Sequence, residues 1–209
     1  MVALPFSYAE PSPGLPGSRV DINAPETVNT LISADGTPEG LSAGQAVFAM
    51  GNTSGGYQTF GTVTRQCEAH LTAAVGANRR LAGFVDYVQG KPGELYLPRY
   101  DYGEAVPVVS QGRRWLIVEN VSLLDPMSCG DAFFVRINNS PTSGTGNVGC
   151  VRYGDADPDA STPPVPSCVQ IPVGTFRILR RFNNAPGLHP GTSLCAVEFD
   201  FRSNTAFGG

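Results

Sequence analysis

Two carboxylates have a spacing that suits glycoside hydrolysis. Glu198 and Asp200 lie two positions apart in SLCAVEFDF, where they alternate with apolar residues. Residues two apart in a strand share one face, and most glycosidases use a pair of carboxylates. The same alternation describes the solvated face of an ordinary amphipathic strand. We favour the second interpretation, because nothing in the neighbouring sequence predicts a raised carboxyl pKa.

The remaining chemistry-bearing residues do not form a catalytic motif. His70 and His189 are the only histidines, and no G-x-S-x-G, Walker loop or G-x-G-x-x-G after a strand is present. Nucleophilic catalysis needs a nucleophile, a base and a group that orients the base, and phosphate binding needs a glycine-rich loop with lysine. We therefore predict a protein without enzymatic activity.

Metal and cofactor sites are not predicted either. Asp155, Asp157 and Asp159 imitate the start of a calcium loop, but Ala160 replaces the glycine and Pro166 the glutamate that such a loop requires. The cysteines are odd in number and scattered, which favours free thiols over disulfides or zinc; they are Cys67, Cys129, Cys150, Cys168 and Cys195.

Charge and hydropathy exclude two classes of partner. The net charge is −4, and the 14 basic residues include one lysine, Lys91, so the basic stripe of a nucleic-acid-binding protein is missing. No apolar run approaches the length of a membrane span. The first residues lack the basic and apolar regions of a secretory signal, so we expect synthesis in the cytoplasm.

The elements that position these residues are predicted to be β-strands. With Gly 25 and Pro 18 the chain is rich in turns, and only 15% of its residues are charged. Short apolar runs recur at 28–33, 45–50, 57–64, 81–88, 104–110, 114–121, 132–137, 168–173, 175–180 and 193–201. This spacing favours a single all-β domain, an antiparallel β-barrel or a jelly-roll-like sandwich. Gly112 is predicted to form the turn of a hairpin, and only 66–75 has helical periodicity.

Two regions are predicted to extend from a domain that spans residues 26–209. Residues 1–25 contain five prolines and form an extended arm, whose apolar side chains include Phe6, Tyr8 and Leu15. The arm either lies on its own barrel, contacts a neighbouring subunit, or is an unattached terminus. The polar and proline-rich stretch 138–167 is predicted to be a projecting loop insertion.

Arginines occur in adjacent pairs at Arg79–Arg80, Arg113–Arg114 and Arg180–Arg181. Arginine is enriched at protein interfaces, where its guanidinium pairs with carboxylates, whereas lysine is depleted there. The pairs therefore indicate either interface anchors or scattered surface charge in a chain that uses arginine in place of lysine.

Four segments together resemble the capsid cement, or decoration, proteins of tailed phages. They are LSAGQAVF, LAGFVDYV, YGEAVPVVSQGRRWLIVE and MSCGDAFFVRI, which follow the arm within residues 15–137. The matching turn and strand positions are Gly44, Ala46, Val47, Gly83, Phe84, Val106, Val108, Gly112, Trp115, Gly130, Asp131, Phe133 and Val135. The insertion at 138–167 and the loop at 183–192 have no counterpart in that pattern.

The resemblance implies a non-enzymatic structural protein of the virion. Such a protein binds the exterior of the head after expansion and clamps neighbouring major capsid protein subunits, and it assembles as a homodimer or homotrimer. On this interpretation the arm and the arginines contact the capsid through Phe6, Tyr8, Leu15, Arg113, Arg114, Arg180 and Arg181.

Two other functions remain open. A virion-attached receptor- or glycan-binding module would use Tyr96, Tyr100 and Tyr102 of ELYLPRYDYGE as a stacking platform. A polysaccharide hydrolase would use Glu198 and Asp200, and we rank it last.

Overall fold

The computed structural model shows an all-β protein, as the turn-rich composition predicts. It describes residues 14–33, 40–50, 62–64, 80–89, 99–119, 133–136, 148–153, 168–182 and 192–202, with only the backbone at 50, 62–64 and 80. The strands are β1 (Thr27–Ser33), β2 (Leu41–Ser42), β3 (Ala46–Met50), β4 (Thr62–Thr64), β5 (Arg80–Val85), β6 (Arg99–Tyr100), β7 (Ala105–Glu119), β8 (Phe133–Arg136), β9 (Val151–Tyr153), β10 (Cys168–Gln170), β11 (Phe176–Phe182) and β12 (Thr192–Asp200). Within these ranges no helix is present, so none is long and apolar enough to span a membrane. The predicted helical segment 66–75 and most of 138–167 lie outside them.

Strand β7 is the centre of the fold, and it corrects the predicted hairpin. Residues 105–119 form one continuous strand of 15 residues, with Gly112 inside it. Gly112 has φ +152° and lies opposite Phe199, in the stretch where β12 pairs with β7 from Gln111 to Glu119. Glycine tolerates this conformation, so the strand continues through position 112 without ending. The hairpin prediction was wrong because a glycine in a strand and a glycine in a turn look alike in sequence.

Among the described residues the main sheet has 10 strands, and it curls until β1 pairs again with β7, which closes a circuit in the order β1-β4-β3-β5-β7. Two of its pairings, β1–β4 and β7–β9, are parallel, so the sheet is mixed and not purely antiparallel as expected. The expectation assumed that strands next to each other in sequence pair as hairpins, whereas each parallel pair here joins strands that are not consecutive. Strand β9 lies between β7 and β8, parallel to the first and antiparallel to the second.

Alternating side chains of β3 and β5 separate two apolar cores. Val47 and Val85 belong to a small core with Leu41, Tyr100, Val106 and Val108. Phe48 and Phe84 point the other way, into the main core, which also contains the inward side chains of β8, β11 and β12. There the ring centroids of Phe84 and Phe199 are 4.8 Å apart in an edge-to-face arrangement. A third cluster, with Trp115, Leu194 and Ala196, lies on the other face of β7 and β12.

Candidate partner-binding surface

Residues 14–26, here called the arm segment, are joined to β7 by main-chain hydrogen bonds. The amide of Gly17 donates to the carbonyl of Trp115 at 2.7 Å, and the amide of Trp115 donates to the carbonyl of Ser18 at 3.0 Å. Arg19 forms an antiparallel bridge with Arg114, whose other neighbour is Val197 of β12. This part of the predicted arm therefore lies on the sheet of its own chain.

A buried charge cluster fixes the arm segment in place. Arg114 is only 1% exposed, and its guanidinium donates to Asp86 Oδ1 at 2.9 Å and to Glu26 Oε2 at 2.8 Å. Glu26 also pairs with Arg19. A buried guanidinium is tolerated only when carboxylates satisfy it, so this cluster joins β7, the segment after β5 and the arm segment. Arg114 was expected to contact a partner, and here its guanidinium is engaged inside its own chain.

Three apolar side chains of the arm segment and the start of β1 face outward. Leu15 is 43% exposed, Ile22 is 81% exposed and Val28 is also exposed. These three make up half of the exposed large apolar side chains of the described ranges, which otherwise include Val88, Tyr102 and Val173. A backbone held on β7 thus presents apolar groups to solvent. Phe6 and Tyr8 lie outside the described residues.

Arg113 lies in an exposed ion-pair ladder. Its Nε donates to Glu198 at 3.0 Å, and its Nη1 lies 3.4 Å from Asp21 of the arm segment. Glu198 also pairs with Arg177 of β11. The ladder crosses the arm segment, β7, β12 and β11, and its guanidinium groups remain partly accessible to a partner.

Arg180 and Arg181 lie on β11, which pairs with β12 along one edge. The guanidinium carbon of Arg180 lies 4.7 Å from the ring centroid of Phe182, a cation–π contact, and Phe182 in turn packs edge-to-face on Trp115. Arg181 is opposite Cys195 in the register. Both side chains are partly exposed. The role of this pair in partner binding stays a prediction. Arg79 is outside the described residues, and only the backbone of Arg80 is described.

Glu198 and Asp200 share a face, as the alternation predicts, and lie away from the buried Val197 and Phe199. Burial acts to raise the pKa of Glu198, but hydrogen bonds from Arg177 and Arg113 outweigh it and hold that pKa below its usual range. Hydrogen bonds from Arg202 likewise lower the pKa of Asp200. A glycosidase acid must keep its proton near neutral pH. The pKa values of Glu198 and Asp200 are lowered instead. This favours the interpretation of the pair as part of the solvated face of a strand.

A groove of about 650 Å³ adjoins the ladder. Its walls come from Pro25 in the arm segment, Gln111–Gly112 in β7, residues 173–177 around the start of β11, and residues 198–200 in β12. Sequence reasoning missed this groove, since its walls come from four separate segments. Val173, an apolar residue in the turn before β11, is exposed and marks the position of the groove.

The predicted tyrosine platform is wrong at one position. Tyr100 is 2% exposed and belongs to the small core; burial first, then Asp86 and Glu104, raises its pKa to about 12. It cannot stack on a ligand. Tyr102 is 73% exposed, and Tyr96 lies outside the described residues.

The described cysteines are free, as expected. Burial, with a smaller contribution from Glu119 and opposed by Arg136, raises the pKa of Cys150 to about 12; burial, opposed by Arg181, does the same for Cys195. Such thiols stay protonated and are poor nucleophiles. In the part of the chain that is described, no three candidate ligands are grouped to hold a metal. His70, His189, Asp155, Asp157, Asp159, Cys67 and Cys129 lie outside it.

No protein-family model and no curated protein matches this chain.

Proposed function

We propose that this protein is a structural virion protein that binds the exterior of a tailed-phage head and stabilises the shell of major capsid protein, with no enzymatic role. The observation that carries the proposal is the arm segment: its backbone is fixed on β7, while its side chains Leu15 and Ile22, with Val28 at the start of β1, point into solvent. Apolar groups held in place before binding lose little conformational entropy when a partner covers them. That is what a clamp on a preformed surface requires.

The ion-pair ladder supports the proposal in a second way. Interfaces combine apolar anchors with a rim of polar groups, in which arginine is common. Arg113 and Arg177 lie beside the arm segment and are partly exposed, so they provide such a rim. A modest affinity per copy is sufficient, because many copies on one particle act together when each contacts more than one capsid subunit.

The test is co-sedimentation of the full-length protein with expanded and unexpanded heads assembled from the major capsid protein of the same genome. We expect saturable binding to expanded heads at a fixed ratio to capsid subunits, which also distinguishes a dimer from a trimer. Ile22→Ser is expected to weaken binding about tenfold, the usual effect of losing an apolar anchor. Tyr102→Ser is the matched control, since it removes a similarly exposed side chain outside the arm segment, and it should bind like the wild type.

Two results would contradict the proposal. Absence of binding by the monodisperse wild-type protein excludes a decoration role. Loss of head binding in Tyr102→Ser, with Ile22→Ser unaffected, contradicts the assignment of the interface to the arm segment. If the wild type does not bind heads, a glycan array with the same two variants tests the receptor- or glycan-binding module.

A further inference from the structure

One exposed apolar side chain lines the groove beside the ladder, and two more lie close in sequence to a residue of its wall. Val173, which lines it, is 67% exposed. Ile22 and Val28 lie on either side of Pro25 in sequence, and Pro25 forms part of the groove wall. Thr27, next to Val28, is opposite the lining residue Gln111 in the register of β1 and β7. Half of the exposed large apolar side chains of the described ranges are thus on the groove or within three residues of its wall.

The charges around the groove are balanced. Arg113, Arg177 and Arg202 each pair with a carboxylate of the same surface, namely Glu198, Asp21 or Asp200. An ionic ligand would have to break one of these pairs to gain its own. The occupant that fits this surface is therefore a segment without net charge. It would form hydrogen bonds with the polar groups of the groove that the ion pairs leave available.

The rings in the groove wall argue against a saccharide. Phe176 and Phe199 line the groove, but both belong to the main core, where they are only 7% and 2% exposed. Sugars bind proteins largely by stacking on exposed aromatic faces, and no such face is present among the lining residues. A chain with an apolar side chain and a polar backbone fits better, because Pro25 and Val173 are apolar whereas Gln111 and Thr175 offer hydrogen-bonding groups.

We propose that this groove binds an extended, uncharged segment of the major capsid protein, which places an apolar side chain against Val173 and Pro25. The inference rests on the proposed function and adds a specific contact to it. A volume of about 650 Å³ accommodates a few residues of extended chain, within the usual range of roughly 300–1,000 Å³ for binding clefts. The fixed arm segment and the groove would then form one continuous interface.

The experiment places a benzophenone amino acid at position 173, 22 or 102 of the full-length protein and irradiates each version on expanded heads. We expect position 173 to form an adduct with the major capsid protein that maps to one of its segments, and position 102 to form none. In parallel, Val173→Asp should weaken head binding about tenfold, because it places an unpaired charge in the apolar part of the interface, while Val173→Ile should bind normally.

Three outcomes would overturn the inference. If position 22 forms capsid adducts and position 173 does not, the decoration role stands and the groove is not part of the interface. If position 173 reacts with a second copy of this chain, the groove joins copies of this protein instead. If the wild-type protein fails to sediment with heads, the proposed function itself is wrong and the groove inference is lost with it.

Discussion

Arg114 is the side chain on which the arm segment depends most. Asp86→Asn is expected to lower the free energy of unfolding by about 3–5 kcal/mol, since it leaves a guanidinium that is 1% exposed with one charged partner. Urea unfolding at neutral pH measures this. Asp200→Asn is the matched control: its partner Arg202 is on the surface, so the same chemical change should have little effect. Equal losses in the two variants would show that the buried cluster contributes nothing special.

Glu198 should make stability depend on pH in a specific direction. Its pKa in the folded state is lower than the ordinary value of 4.5, because hydrogen bonds from Arg177 and Arg113 outweigh the effect of burial. Its contribution is therefore complete above pH 4.5 and is lost as the pH falls through the lowered folded value. At pH 7 we expect the free energy of unfolding of the wild type to exceed that of Glu198→Gln by up to roughly 1 kcal/mol. Chemical unfolding from pH 7 to pH 3 should show this difference shrinking, and a difference that grows in acid would contradict the assigned direction.

At the scale of elements, β5 and β7 approach each other so closely that only glycine fits at position 83. A Cβ there would lie 2.0 Å from the carbonyl oxygen of Val109, and φ is +148°. Gly83→Ala should therefore cost at least about 3 kcal/mol, from backbone strain together with displacement of a strand.

Gly103→Ala separates these two causes. Its φ is +81°, but an added Cβ would have no heavy atom within 4 Å, so only the conformational cost of about 1–2 kcal/mol applies. In thermal unfolding, Gly83→Ala should have a clearly lower melting temperature than Gly103→Ala. Similar melting temperatures would mean that β5 can move away from β7 at little cost.

Some elements follow directly from the sequence. The alternation in β12 predicts which face carries Glu198 and Asp200, because a strand with one buried face has a period of two. The continuity of β7 could not be predicted in this way. Its middle, SQGRR, is polar and contains glycine, and Arg114 becomes acceptable in a buried strand only through Asp86 and Glu26, which are distant in sequence.

The groove could not be predicted from the sequence either, because its residues are far apart in the chain. Pro25, Gln111, Val173 and Asp200 come together only when the arm segment, β7, β11 and β12 are in place. Periodicity reports the neighbours of a residue along one element, so it carries no information about a surface assembled from four. The free thiols and the all-β class, in contrast, depend on composition and were predictable.

At the scale of the whole molecule, the arm segment belongs to the folded sheet. Removal of residues 1–25 would delete the hydrogen bonds of Gly17, Ser18 and Val20 to β7 and uncover Trp115. We expect this truncation to lower the free energy of unfolding by at least about 3 kcal/mol relative to removal of residues 1–13, which keeps those contacts. Urea unfolding of the two truncated proteins measures the difference, and equal stability would contradict the role given to the arm segment. Point substitutions such as Ile22→Ser are consequently the cleaner probes of head binding.

The shared strand β7 also has a consequence for how the chain folds. Its partners come from both ends of the described sequence: Glu198, which bonds to Arg113, is 85 residues away. A loop of that size must close before the contact forms, so the entropic barrier precedes most of the stabilising interactions. We infer that the edge of β7 that pairs with β12, from Gln111 to Glu119, stays unpaired during synthesis until β12 is available. Refolding should take milliseconds to seconds, and in that interval the nascent chain is a substrate for chaperones.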